Sequence, residues 1–174
     1  MKKLFVMMMV LALAAMMALP AGVATASSPQ FEVSGDLVLG IADLGIDPVG
    51  SVYKGWEYQV IDYAGDIDGA QIGTCYFTYN TKSLALASVG VQTFEGSVLG
   101  KTGTLTFRVL HQGFAQIGVL GETIKVEHTI VSGTGDLANL RGTMHFTVSN
   151  HGPTSEHPLG TYEGSYSGQL HFEP

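Results

Sequence analysis

The sequence lacks a pair of cysteines, since Cys75 is the only cysteine among its 174 residues. An intramolecular disulfide is therefore excluded, and packing must hold the fold together. Cys75 falls in a strand pattern beside Phe77 and Tyr79. That setting favours a small buried side chain over a thiol nucleophile.

Basic side chains are scarce as well, with 8 lysines and arginines against 15 aspartates and glutamates. Two of them, Lys2 and Lys3, open a segment that has the form of a secretory signal peptide. An apolar run from Leu4 to Leu19 follows, and a small-residue cleavage site ends at Ala26. We therefore predict cleavage after Ala26 and a secreted or periplasmic protein.

A membrane anchor is the competing interpretation of this segment. It is disfavoured because a span needs roughly 20 apolar residues, whereas the helix breaker Pro20 ends a shorter run here. Residues 1–26 thus form the predicted signal peptide and residues 27–174 one predicted domain without a membrane anchor. Its 6 basic and 15 acidic side chains give a net charge of −9, which argues against nucleic acid or anionic lipid as a partner.

Helical periodicity is missing from the predicted domain: no stretch longer than one turn has apolar residues at helical spacing. Polar and apolar residues alternate instead, as in Thr104–Val109, which is the period of a half-buried strand. Turn residues separate such runs at Asp68-Gly69, Asn80-Thr81, Gly100-Lys101 and Gly133-Thr134-Gly135. Strands are predicted at residues 31–41, 50–63, 71–79, 84–94, 104–109, 123–131, 143–149 and 160–172.

Strands joined mostly by tight turns favour an all-β fold. We predict a single antiparallel eight-stranded β-barrel, because closure leaves no exposed sheet edge; a two-sheet sandwich is the main alternative. Alternation places His111 on the same face as Phe107, and His128 on the same face as Val126. Two histidines are therefore expected on otherwise apolar faces.

Each buried imidazole needs a partner, since an unpaired polar group costs about 1–3 kcal/mol. A backbone group, a tyrosine hydroxyl or an internal water would make His111 and His128 structural. Alternatively, both line a cavity and contact a ligand there, with either as acid or base, because histidine titrates near neutral pH. Trp56, Tyr58 and Tyr79 are candidates for the wall of that cavity, although aromatic residues in strands often belong to the core.

Three other patterns are rejected as sites. Gly133–Ala138 imitates a dinucleotide-binding loop, but a new strand follows before a full helix can form, so a single helical turn over Asp136–Leu140 is expected. Asp66–Gly69 resembles the start of a calcium loop without its remaining ligands, which favours a hairpin turn. His151 and His157 have no third ligand. We assign no cofactor and no metal.

The string Ser132–Gly142 is specific enough to indicate a relationship. It resembles the signature of an uncharacterised bacterial family, a domain of unknown function with an allene oxide cyclase-like barrel. Lys101-Thr102-Gly103 is similar to that family's Arg-Ser-Gly turn, and His111-Gln112-Gly113 is similar to its His-x-Gly strand end. The resemblance covers roughly residues 65–172.

The resemblance implies an eight-stranded antiparallel barrel, more distantly similar to dirigent proteins. Barrels of this kind enclose an apolar cavity and guide a reactive or hydrophobic small molecule. They also suggest a homo-oligomer, although the sequence itself does not fix the oligomeric state. Family sequences often have Glu-x-Phe-x-Gly where this chain has Gln92 and then Glu95, so an acid is replaced by an amide, and alternation puts Glu95 on the opposite face.

Two functions are compatible with these patterns, and we favour the first. In the first, the exported barrel binds a hydrophobic small molecule in its interior. In the second, it is an isomerase or cyclase of the allene oxide cyclase kind, in which His111 or His128 shifts a proton. A purely structural surface protein is a third interpretation. The predicted cavity lining consists of Phe107, His111, Val126, His128, Tyr79 and Gln92.

Overall fold

The computed structural model describes residues 28–174, and the predicted signal peptide lies outside this part of the chain. Each strand pairs antiparallel with the next one, and the last strand pairs with the first, so the sheet closes. The predicted all-β class and the eight-stranded antiparallel barrel are therefore confirmed. The strands are β1 (Phe31–Val49), β2 (Val52–Gly65), β3 (Ile67–Asn80), β4 (Ala85–Val98), β5 (Lys101–Phe114), β6 (Thr123–Gly133), β7 (Leu140–Gly152) and β8 (Thr161–Phe172).

Between β6 and β7 the chain makes one short 3-10 helix, Gly135–Leu137. The sequence predicts a single helical turn here, over residues 136–140, and the turn forms one residue earlier. Its Leu137 side chain is fully buried and helps to close this end of the barrel. Within residues 28–174, no helix is long and apolar enough to cross a membrane.

The chain reverses between β2 and β3 at Asp66, and not at the predicted Asp68-Gly69 turn, which lies inside β3. The Asp66 carboxylate accepts a hydrogen bond from the Ser34 backbone N–H at 2.8 Å. Its backbone N–H donates to the Ser34 carbonyl at 3.1 Å. The prediction was wrong because Gly69 serves another purpose: a Cβ there would meet the backbone of Gly96 on β4, so the glycine permits close strand approach.

One half of the barrel interior is filled by side chains. The 3-10 helix and the short connections at Asp66 and Leu99-Gly100 close this end. Just above it, the Tyr63 ring packs edge-on against three other aromatic rings at centroid distances of 5.5 to 5.9 Å. The closed end therefore behaves as a conventional core. Its fully buried members include Val33, Ile67, Phe94, Val98, Leu105, Leu137, Leu140 and Leu170.

Tyr166 fastens β8 to the start of β3 inside this core. Its hydroxyl accepts a hydrogen bond from the Ile67 N–H at 2.8 Å and donates to the Ile67 carbonyl at 3.3 Å. We expect Tyr166→Phe to lower the free energy of unfolding by about 1–3 kcal/mol, because it leaves a buried backbone N–H unpaired. Urea unfolding measures this loss. Tyr76→Phe is the control, since Tyr76 is 62% exposed, and an equal loss in both variants would contradict the role given to Tyr166.

Candidate ligand cavity in the open half of the barrel

The other half of the barrel holds a cavity of about 490 Å³, a volume typical of small-molecule sites. Its mouth lies at the end where the connections 50–51, 81–84, 115–122 and 153–160 join the strands. Ile117 and Leu120 of the third connection reach the cavity from the mouth. Apolar side chains dominate the wall, including Leu39, Ile41, Val109, Ile124, Val126, Phe146 and Val148.

His111 bridges a gap in this wall. The pairing between β5 and β6 ends at Leu110 and Glu127, and beyond that point the His111 Nδ1 lies 2.5 Å from the Lys125 carbonyl oxygen. A carbonyl only accepts, so Nδ1 carries the proton and Nε2 of the neutral ring is an acceptor. That Nε2 atom is itself buried and has no hydrogen-bond partner within residues 28–174, so other atoms of His111 form its share of the cavity lining.

A chain of buried glutamines lies beneath the cavity, and of its members Gln59 reaches the cavity lining. The Tyr63 hydroxyl donates to Gln71 Oε1 at 2.7 Å, and Gln71 Nε2 donates to Gln92 Oε1. Gln92 Nε2 then donates to Gln59 Oε1 at 2.6 Å. Gln59 Nε2 donates in turn to the Glu57 carboxylate at 2.6 Å. All three amides therefore donate in the same direction along a chain of hydrogen bonds that begins at a hydroxyl donor and ends at a carboxylate acceptor.

His128 is held against this chain in one tautomer. Gln71 Nε2 lies 3.0 Å from His128 Nδ1, and because an amide nitrogen only donates, Nδ1 must accept and Nε2 carries the proton. The ring also packs on Phe146, with centroids 4.1 Å apart. Burial lowers the pKa of His128 to about 3. His128 is therefore a neutral hydrogen-bond donor toward the cavity at any ordinary pH.

Among residues 28–174, Glu57 is the one acidic side chain in the cavity lining. Burial raises the pKa of its carboxyl, while the hydrogen bond from Gln59 works in the opposite direction. A carboxyl group with a raised pKa in a cavity is a candidate for binding or proton transfer. Glu57 thus supplies the terminal acceptor of the glutamine chain.

Cys75 also reaches the cavity. Its sulfur accepts a hydrogen bond from Gln92 Nε2 at 3.4 Å and lies 3.7 Å from Gln59 Oε1. Burial, followed by the charge of Glu57, raises the pKa of the thiol to about 12. The expected small buried side chain is confirmed, since Cys75 is 1% exposed, and a thiol in this state is a poor nucleophile.

The raised pKa of Cys75 sets its reactivity. We expect an aromatic disulfide reagent at about pH 8 to modify the folded protein roughly a thousand times more slowly than the denatured chain, because so little thiolate is present. Absorbance of the released thiol follows the reaction. The single cysteine makes the denatured protein its own reference. Comparable rates in both states would show that Cys75 is accessible and ionisable.

Of the six predicted lining residues, the structure places four in the cavity lining and two outside it. Tyr79, His111, Val126 and His128 line the cavity. Phe107 and Gln92 do not: Phe107 is buried with its ring centroid 5.9 Å from that of His128, and Gln92 is in the glutamine chain. An acid at position 92 would have no N–H groups to donate to Gln59 and Cys75, which gives a structural reason for the amide found there.

Trp56 and Tyr58, the other predicted wall residues, lie on the outside of the barrel. The side chains of β2 that face inward include Glu57, Gln59 and Ile61, so the neighbouring even-numbered positions face outward. Trp56 is 37% exposed and packs over Gly45 on β1, where a Cβ would collide with its ring. Trp56 and Tyr58 were candidates for the wall because they are aromatic, and their parity in β2 excludes them from the cavity.

Sequence reasoning missed Glu57, Gln59 and Gln71. The first two could have been found from the sequence. Apolar Ile61 and Tyr63 flank polar Asp62, which indicates that odd-numbered residues of this strand face inward, and Gln59 and Glu57 are odd-numbered. Gln71 and Cys75 share a face for the same reason. Among residues 28–174, no group of three metal-binding side chains lies close enough to hold an ion.

Together, the fold and the site define a closed β-barrel that is packed at one end and hollow at the other. Residues 59–157, more than half of the chain, match the family described as "Protein of unknown function (DUF3224)". The chain belongs to this family, in agreement with the resemblance found in its sequence. No curated protein matches it.

A solved structure shares the fold. It is the crystal structure of a protein of unknown function from the DUF3224 family of Shewanella oneidensis MR-1. The two chains are 18% identical and superpose with a TM-score of 0.60. The match covers 84% of this chain and 100% of the other. At this identity the likeness concerns the fold alone.

Proposed function

We propose that this protein is exported and binds a hydrophobic small molecule in the open half of its barrel. The observation that carries the proposal is the cavity of about 490 Å³ with its predominantly apolar wall. Burial of apolar ligand surface against this wall supplies the affinity.

The rim of the cavity supports the same function. Ile117, Leu120, Ile46 and Leu159 line the cavity and yet remain 42 to 69% exposed. Exposed apolar side chains clustered around a concave site are typical of a surface that a ligand covers. The net charge of −9 predicted for the mature chain would keep such a protein soluble with its cavity unoccupied.

The cavity also supports a second candidate function, an isomerase or cyclase of the allene oxide cyclase type. Such a reaction needs a group that exchanges protons near neutral pH. His128 does not qualify, because burial lowers its pKa to about 3. The Glu57 carboxyl and the His111 side chain are the remaining candidates in the cavity lining. Catalysis would require that Glu57→Gln or His111→Ala abolish turnover of a lipophilic substrate without unfolding the protein.

A cavity-filling variant tests the binding function. We expect the neutral dye N-phenyl-1-naphthylamine to brighten on binding wild-type protein, and Val126→Trp to weaken binding at least about tenfold because the indole occupies the cavity. Fluorescence titration gives both dissociation constants. Ser88→Phe is a second filling variant, since Ser88 also lines the cavity.

The matched control is Val131→Trp on the same strand. Val131 is 46% exposed on the outside of the barrel, so this variant should bind the dye as wild type does. Thermal melts establish that all variants are folded. If wild type fails to bind the dye, or if folded filling variants bind it unchanged, the proposal is wrong.

A further inference from the structure

Six apolar side chains lie next to one another on the outside of the barrel, on β2, β3, β4 and β5. Each of them is 37 to 62% exposed. A ligand in the cavity would not cover them, because they lie on the other side of the barrel wall. We call these side chains the outer face: Trp56, Ile72, Tyr76, Val89, Val91 and Leu110.

The register of the sheet joins the outer face into one surface. Trp56 on β2 pairs with Tyr76 on β3, which pairs with Val89 on β4. Val89 pairs in turn with Leu110 on β5. These residues therefore form a row across four neighbouring strands, about 14 Å long at the usual strand spacing. The rest of the outer face extends from this row along β3 and β4.

Carboxylates are confined to the border of the outer face, although the predicted domain has 15 acidic and 6 basic side chains. Thr74, which the face encloses on β3, is uncharged, and Arg108 beside it on β5 is a cation. Two copies of such an acidic chain repel one another over most of their surfaces, so a face without carboxylates is where they can meet. Within residues 28–174, acids on this side of the barrel lie at the border, at Asp43, Asp62, Glu95 and Glu127.

We infer that two copies of the protein pack through their outer faces as a two-fold symmetric dimer. At the exposures given above, the six side chains present roughly 600 Å², so two copies would bury about 1,200 Å². This area reaches the lower limit for a specific and stable interface. The inference goes beyond the proposed binding function and does not depend on it.

A second copy fits the outer face better than a different protein does. A two-fold dimer needs a surface that matches itself, and a face of uncharged apolar side chains meets this condition. A basic partner would be drawn to the acids at the border and not to the face itself. Trp56, Tyr76 and Arg108 are also of the residue types that are enriched in protein interfaces.

Sedimentation equilibrium of the exported protein tests the dimer. At about 50 µM we expect twice the mass of one chain, with a dissociation constant in the micromolar range for an interface of this size. In Val91→Glu each copy would bury a carboxylate against an apolar surface, so the dissociation constant should rise at least about a hundredfold. Tyr76→Glu is a second variant of the outer face and should have the same effect.

The matched control is Leu159→Glu. Leu159 is 46% exposed in the connection between β7 and β8, across the barrel from β3 and β4. The same change in charge at this place should leave the dissociation constant of the dimer within about twofold of the wild-type value. Thermal melts establish that all three variants are folded.

Three results would overturn the inference: wild-type protein that remains monomeric at about 200 µM, a closed assembly larger than a dimer, or folded Val91→Glu and Tyr76→Glu variants that dimerise as wild type does. A dimer that Leu159→Glu weakens as much as Val91→Glu would contradict the face assigned to it. Dye binding is a separate matter, since a protein that dimerises without binding the dye refutes the binding function alone.

Discussion

Gln71→Leu is expected to lower the free energy of unfolding by about 3–5 kcal/mol, because one substitution leaves three buried groups without partners. These groups are the Tyr63 hydroxyl, Gln92 Oε1 and His128 Nδ1. Gln71 itself is fully buried, so water is not available to replace it. Leucine restores the volume but none of the hydrogen bonds. Urea unfolding at neutral pH measures the loss.

The control for this effect is Gln169→Leu, at an exposed position on β8, which should change the stability by less than about 0.5 kcal/mol. A double-mutant cycle sharpens the test. Tyr63→Phe removes one of the groups that Gln71→Leu orphans, so the double variant should lose clearly less stability than the sum of the two single losses. Additive losses, or a loss below about 1 kcal/mol in Gln71→Leu, would show that the glutamine chain is not a connected network.

Acid should destabilise the protein through His128. Burial lowers the pKa of its imidazole from 6.5 to about 3 in the folded state, so below pH 6.5 the unfolded chain binds a proton that the folded protein does not. Stability from this group is complete above pH 6.5 and is lost progressively as the pH falls toward 3. Between pH 7.5 and pH 4.5 the expected loss is about 2–3 kcal/mol.

His128→Asn isolates this contribution, because its amide oxygen can still accept from Gln71 but does not titrate. Glu57 works in the opposite sense: burial raises the pKa of its carboxyl, so the folded protein gains stability as the pH falls through that pKa. Glu57 and the other histidines are the same in both proteins and cancel in the comparison. Equal losses of stability on acidification would show that His128 is not kept neutral by the fold.

The strands and the closed barrel could be predicted from the sequence because both depend on local alternation and tight turns. His145 and Gln169 face outward and Met144, Phe146 and Leu170 face inward, as the period of two requires. The predicted β2–β3 turn was misplaced by two residues, because in a sequence a glycine that forms a turn cannot be distinguished from a glycine that lets two strands approach closely. Local sequence does not distinguish these uses of Gly69.

The candidate site was less accessible to sequence reasoning. His111, His128 and Val126 follow from alternation, and Tyr79 was a candidate as an aromatic residue; all four line the cavity. Alternation does not tell how far along the barrel axis an inward residue lies, which is why Phe107 was placed in the cavity when it is packed below it. The glutamine chain depends on which residues meet across β2, β3 and β4, and this register is set by the whole sheet.

A crystal structure of the protein purified from its own host would show directly whether the open half of the barrel is a ligand cavity. We expect electron density for an apolar molecule in the cavity, beside Phe146 and Val126. A cavity that has collapsed onto its own side chains, or that contains only water, would contradict the account.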